Sequence, residues 1–246
     1  MSMIASQKFS TVLILGGSGT IGTAIALEFA RQRYAVGLQY HLNKSVAEQT
    51  ATRLRQTTQS VHMVQADVRH PSQIRSALQE FNTLYGSLHV LIWAVGAPTS
   101  ALLIRTSSEE WLRTLDINLT GAFHALQAAG PIFEQQQTGA IIFVGSLSGE
   151  QGAAGQASYA ASKAGLTGLM QTAAKEWGEF NVRVNAVFPG WHPSPLSAPK
   201  IKTALQQTPH ALHRTPSLEH VAKTVCHLAE APDVSGQIWN LDSRIW

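Results

Sequence analysis

Seven short apolar runs alternate with six longer amphipathic ones along this chain, and few architectures accept that order. Strands are expected at Thr11–Leu15, Ala35–Tyr40, Val61–Gln65, His89–Val95, Ala140–Gly145, Val182–Val187 and Gln237–Leu241. Helices are expected near Thr20–Arg33, Lys44–Thr58, Ser72–Tyr85, Ser108–Phe133, Ala157–Phe180 and Leu218–Glu230. Several strands are apolar almost throughout, the pattern of a parallel sheet covered by helices on both faces. Ser107-Ser108-Glu109-Glu110 reads as a helix start, and Pro71 and Pro216 stand just ahead of helical patterns. The alternation predicts an α/β fold: a doubly wound, seven-stranded parallel sheet of the Rossmann type, as one domain over residues 1–246. Functional groups then belong at the carboxyl ends of the strands.

Composition narrows the function. Charged residues make up 13% of the chain and hydrophobic ones 44%, which favours an oligomer that buries some surface. The net charge is +3 with the basic residues scattered, which is no footprint for nucleic acid. No run of eighteen apolar residues exists, so no membrane span is expected, and the N-terminal residues lack the pattern of a secretory signal. Cys226 is the only cysteine and lies in an apolar helical stretch, where a small buried residue is the plain reading. A cytoplasmic location is expected.

Two motifs carry chemistry. After the first strand comes Gly16-Gly17-Ser18-Gly19-Thr20-Ile21-Gly22, where glycines permit a tight turn and close approach of a pyrophosphate to the next helix N-terminus. Further on, Tyr159 and Lys163 stand four residues apart, thirteen residues after Ser146. That spacing puts both side chains on one helical face. An ammonium beside a phenol favours the phenolate, and such a tyrosine can give a proton to a carbonyl oxygen or take one from an alcohol. Ser146, ending an apolar run, can orient that oxygen.

The cofactor's adenosine end is read from two further stretches. Asp67 and Val68 follow the third strand, where the carboxylate can accept from an adenine amino group; a helix cap for the segment at Pro71 is the other reading. The second strand ends in Gln39-Tyr40-His41-Leu42-Asn43-Lys44, with no acid before Glu48. A carboxylate there would bind a ribose 2′-hydroxyl and repel a 2′-phosphate, so NADP(H) is expected, with His41, Asn43 or Lys44 near the phosphate. Lys44 can equally begin a solvated helix.

With these residues in hand, the chain resembles the short-chain dehydrogenase/reductase family over essentially its whole length. The resemblance rests on Gly16–Gly22, Asp67, Asn118 in Asp116-Ile117-Asn118-Leu119, Ser146, Tyr159, Lys163 and Pro189-Gly190. It implies a catalytic tetrad of Asn118, Ser146, Tyr159 and Lys163. In it Tyr159 is the general acid/base, and Lys163 lowers its pKa while holding the nicotinamide ribose. Ser146 places the carbonyl, and Asn118 holds a water that relays protons to Lys163. Without the family, Asn118 is only a polar residue in an apolar helix. Within the family, Gly145–Gly165 is most similar to bacterial 3-oxoacyl-carrier-protein reductases of fatty acid biosynthesis. That implies a 3-oxoacyl thioester substrate and an acyl carrier protein as a possible partner. A carbonyl reductase acting on a sugar, steroid, quinone or other small ketone is the alternative, and a cofactor-binding subunit without catalysis a third.

Four positions depart from the family pattern. Thr20 replaces a glycine, and Trp93-Ala94-Val95-Gly96 replaces Asn-Asn-Ala-Gly while keeping Gly96 for close cofactor approach. Ser194 stands for a threonine after Pro189-Gly190, and Gln137 and Phe180 stand where carrier-docking arginines are usual. The stretch 191–215 is expected to be a substrate lid, with Trp191, His192 and Leu196 as candidate substrate contacts. Lys202 and Arg214 are candidate attractors of an anionic tail. The resemblance also implies a homotetramer, or a dimer, with Trp239 and Trp246 near another subunit.

Overall fold

The computed structural model describes residues 10–58, 60–192 and 210–244. Seven strands form one sheet: β1 Thr11–Leu15, β2 Ala35–Tyr40, β3 Val61–Gln65, β4 Val90–Trp93, β5 Gly139–Val144, β6 Val182–Phe188 and β7 Ile238–Asn240. Their order is β3-β2-β1-β4-β5-β6-β7, and every neighbouring pair is parallel. The chain therefore winds outward from β1 to one edge, returns to β4 beside it, and winds to the other edge. The reversal leaves a crevice beyond the carboxyl ends of β1 and β4.

Two apolar layers hold the helices to this sheet. Leu13 and Leu15 of β1 face α3 (Pro71–Tyr85), α5 (Gly121–Gln136) and α7 (Ala157–Trp177). Val12 and Ile14, turned the other way by the strand's two-residue period, face α1 (Thr20–Arg31), α2 (Lys44–Leu54) and α8 (Leu218–Glu230). This is why the central strands read as continuous apolar runs. Cys226 belongs to the second layer, and its burial pushes the thiol well above its ordinary pKa, leaving it a packing residue.

The helix expected over Ser108–Phe133 is interrupted. It divides into α4 (Ser108–Leu115), one π-helical turn over Asp116–Thr120, and α5. Ser107 starts α4 as expected, its hydroxyl accepting from the Glu110 amide at 3.1 Å. A π turn carries one extra residue, so it rotates the next helical segment and re-aims the side chains inside the turn. Asn118 lies in that turn. A further short helix, α6 (Ser148–Gln151), comes after β5 and was not expected from the pattern. Strand β4 stops at Trp93, two residues short of the expected end, so Val95 and Gly96 leave the sheet and enter the crevice region. Trp93 itself is fully buried, with its ring edge under Gly121, where a Cβ would lie 3.1 Å from the indole. The bulk of the indole is thus taken up by a glycine on α5.

Candidate active site

The glycine turn is shaped by what lies behind it. Gly16 has φ +84°, and a Cβ there would come within 2.8 Å of the Ala94 carbonyl carbon. A Cβ on Gly22 would collide with the Gly16 carbonyl oxygen. Gly19 caps α1 with its backbone alone, and the first turn carries no acid, so the amides at this helix end keep their capacity for an anion. Ser18, Thr20 and Ile21 are half-buried around it. These bare backbone surfaces and open N–H groups fit a pyrophosphate.

A residue not singled out from the pattern braces this turn. Gln39, buried in β2, accepts from the Gly16 amide at 2.7 Å and donates to the Ala66 carbonyl at 2.5 Å. It joins the ends of β1, β2 and β3. Its signal in the sequence was slight: one polar residue inside an otherwise apolar strand.

Beyond the end of β3, Asp67 is buried and its carboxylate takes both Nε and Nη2 of Arg69, the latter at 2.6 Å. These bonds hold its pKa down to about 2. The Asp67 carboxylate also lies 3.5 Å from His41 Nε2. Tyr40 is buried at the end of β2, Asn43 precedes α2, and Lys44 reaches Glu48 at 3.8 Å. Val68 is buried beside Asp67, its carbonyl 3.2 Å from His124 Nδ1. Arg69 is a further cation at this site, and it stands outside the stretch at the end of β2 where basic residues were expected.

Ser146, Tyr159 and Lys163 meet beyond β5. The Tyr159 hydroxyl lies beside Ser146, and the Ser148 amide donates to Ser146 Oγ at 3.2 Å. Lys163 is 3% exposed, with Nζ 5.8 Å from the centre of the Tyr159 ring. Its ammonium donates to the carbonyls of Val144 at 2.9 Å and Val95 at 3.3 Å, which ties together the ends of β5 and β4. Burial lowers its pKa to about 8.

The phenol does not follow the simple expectation of an ammonium lowering its pKa. Burial raises it, and the neighbouring Ser146 hydroxyl only partly offsets that rise. The physical reason is placement: the ammonium is turned to two main-chain carbonyls instead of to the hydroxyl. Gly96 borders the same group, since a Cβ there would stand 3.5 Å from Nζ.

Asn118 is completely buried and bonds to both the loop after β4 and α7. Its Oδ1 accepts from the Ala97 amide at 2.8 Å, and Nδ2 donates to Ala97 O at 3.2 Å and Ser162 Oγ at 3.0 Å. Ser162 in turn donates to the Tyr159 carbonyl at 2.7 Å. The π turn thereby links the loop after β4 to the helix bearing Tyr159 and Lys163. Pro189 and Gly190 come directly after β6, with Gly190 at φ +77°. Ser194, Leu196, Lys202 and Trp246 lie outside the described residues.

A parallel sheet with a glycine turn at its switch point and a serine, a tyrosine and a lysine grouped beside it defines a dinucleotide-binding oxidoreductase class. The sequence model of the short chain dehydrogenase family matches residues 10–204, and the chain belongs to that family. Its members are oxidoreductases that act on CH–OH and C=O groups with a nicotinamide cofactor. The chain is 35% identical over 242 residues to a 3-oxoacyl-acyl-carrier-protein reductase of Staphylococcus aureus, covering 96% of this chain and 98% of that one. It is 33% identical over 233 residues to carbonyl reductase family member 4 of Xenopus laevis, covering 94% and 96%. A solved short chain dehydrogenase from Bacillus anthracis superposes with a TM-score of 0.86 at 26% identity, over 95% of each chain. Among the described residues, no helix is long and apolar enough to cross a membrane.

Proposed function

We propose that the protein reduces 3-oxoacyl thioesters to 3-hydroxyacyl thioesters with NADPH, as a soluble enzyme of the cytoplasm. The observation that carries the reading is the Tyr159 hydroxyl beside Ser146, with the Lys163 ammonium 5.8 Å from the centre of the Tyr159 ring. The bound nicotinamide supplies a hydride to the carbonyl carbon. Tyr159 donates its proton to the carbonyl oxygen, and Ser146 holds that oxygen in place. A protonated phenol at this position suits the donor role in reduction. Lys163 serves the nicotinamide ribose and the phenol's reprotonation. Asn118 orders the loop that meets both. The turn Gly16–Gly22 receives the pyrophosphate, Asp67 and Val68 face the adenine, and Gly96, Pro189 and Gly190 lie toward the nicotinamide.

The phosphorylated cofactor is favoured by what the end of β2 lacks. No carboxylate within residues 39–44 repels a 2′-phosphate, and His41, Asn43 and Lys44 stand in that stretch to receive it. The thioester is favoured by the similarity to the staphylococcal reductase. Gln137 and Phe180, in place of docking arginines, favour the second reading of a small-ketone carbonyl reductase, in line with the Xenopus relative. Steady-state rates with NADPH and NADH, on 3-oxoacyl groups carried by acyl carrier protein and by coenzyme A, test both halves. NADPH and a thioester should give the highest kcat/KM. A clear NADH advantage overturns the cofactor half. Turnover confined to sugars or cyclic ketones overturns the substrate half, and cofactor binding without turnover on any carbonyl leaves only a binding subunit.

The same reading includes a homotetramer, or a dimer. An apolar groove runs between α5 and α7, lined by Leu119, Phe123, Gly165, Gly168 and Leu169. Phe123 is 44% exposed there, and a Cβ on Gly168 would meet nothing within 4 Å. Gly168→Glu should therefore leave the subunit folded while light scattering registers a smaller species than the parent chain. An unchanged assembly in that variant, or a monomeric parent at micromolar concentration, overturns this part.

A further inference from the structure

The two residues after Pro189 rest on the last described residues of the chain. Gly190 packs on Asp242, where a Cβ would come 3.6 Å from the carboxyl carbon. Trp191 lies under Arg244, whose guanidinium carbon is 4.4 Å from the ring centre. Arg244 is itself immobilised: Nε and Nη2 bond the Asp242 carboxylate at 2.8 and 2.6 Å, and its amide reaches the same carboxylate at 3.1 Å. The Asp242 side chain is fully buried, so Arg244 supplies the charge that carboxylate needs. A planar guanidinium can hold a carboxylate along one edge and lie flat on an indole at the same time, which an ammonium cannot.

The same segment grips the chain on its other side. The Ala211 amide bonds the Ser243 carbonyl at 2.6 Å, His210 Nδ1 lies 3.9 Å from the Asp242 carboxylate, and Pro216 packs against Gly190. Residues 189–192 are thus backed by a buried ion pair, which restrains the turn they form. Preorganisation of this kind strengthens binding by removing an ordering cost.

We propose that Arg244 is a positioning residue for the nicotinamide end of the cofactor, acting through Trp191. The inference rests on the proposed placement of Pro189 and Gly190 toward the nicotinamide. Neither Arg244 nor Trp191 needs to touch the ring; Arg244 holds Trp191, and Trp191 holds the turn that does.

The test is cofactor affinity, measured by calorimetry without turnover. NADPH and NADH are each compared with the matching fragment that lacks nicotinamide, 2′-phospho-ADP-ribose and ADP-ribose. Arg244→Ala should weaken the intact cofactors about tenfold and the fragments less than twofold. Trp191→Ala should do the same, and the double variant should be no worse than the weaker single one, because one residue acts through the other. Trp191→Phe, which keeps an aromatic face, should restore most of the affinity. Should Arg244→Ala fail to fold with Asp242 left unpaired, Arg244→Lys retains the charge without the planar stack and should give the same selective loss. Equal weakening of cofactor and fragment, multiplying effects in the double variant, or no loss in a folded Arg244 variant each overturn the inference. Gly190→Ala separates it from the placement on which it rests. Selective loss there but not at Arg244 sinks the inference alone, and no selective loss at either sinks the placement of the nicotinamide. A preference for NADH leaves the test intact, since each cofactor is judged against its own fragment.

Discussion

Tyr159→Phe is expected to lower turnover by about 10²- to 10⁴-fold, the range that a positioned proton donor contributes. Only a hydroxyl is lost. The ring keeps its packing, and the neighbouring Ser146 remains half-exposed and can turn its hydroxyl to water. Cofactor affinity and thermal midpoint should therefore stay close to the parent values. The measurement is kcat at saturating cofactor and substrate beside a melting curve. A variant that keeps most of its turnover would remove the phenol from the chemistry, and with it the proposed role of Ser146.

Lys163→Met should also abolish most turnover, yet its effect on stability separates two opposing terms. The ammonium is almost completely buried, and no carboxylate is among its hydrogen-bond partners, which are two carbonyls. Burial depresses its pKa from 10.5 to about 8. The unfolded chain therefore binds a proton that the native chain lacks between about pH 8 and 10.5, and in that window this group makes stability rise with pH. Below about pH 8 both states are protonated and the full cost of burying the charge is present. Methionine removes that cost but leaves the Val95 and Val144 carbonyls without their donor. The expectation is a thermal midpoint at neutral pH equal to or above that of the parent. A fall of more than about 5 °C, on the order of 2 kcal/mol for a chain of this size, would mean the two hydrogen bonds outweigh the desolvation. In the parent, kcat/KM for the cofactor should fall as pH rises through about 8, as Lys163 loses its charge.

Much of the fold was legible because strand and helix periods are local. Thr11–Leu15, Ala35–Tyr40 and Val61–Gln65 occur with the bounds the pattern predicts, and α8 begins and ends as expected at Leu218 and Glu230. The site was legible to the extent that its residues share one element. Tyr159 and Lys163 are neighbours because they stand on one helix face, and the glycine turn comes directly after β1. The π turn at Asp116–Thr120 was not legible, since its residues suit an α-helix equally well and what holds Asn118 is bonding to Ala97 and Ser162.

By itself, then, the sequence determined the order of the elements, the parallel sheet and the residue types that meet at its carboxyl edge. Each of these comes from spacing within a few residues or from the sheet's need for apolar cover on both faces. Only the tertiary structure decided that Gln39 braces the glycine turn, that Arg69 occupies the Asp67 carboxylate, that Lys163 faces carbonyls and not the phenol, and that Arg244 lies on Trp191. Most of these contacts join residues far apart in the chain. The pairing of Arg69 with Asp67 is local, but whether such a pair forms depends on burial and on what surrounds it. Such contacts have no periodic signature, because their partners are chosen by how the elements pack.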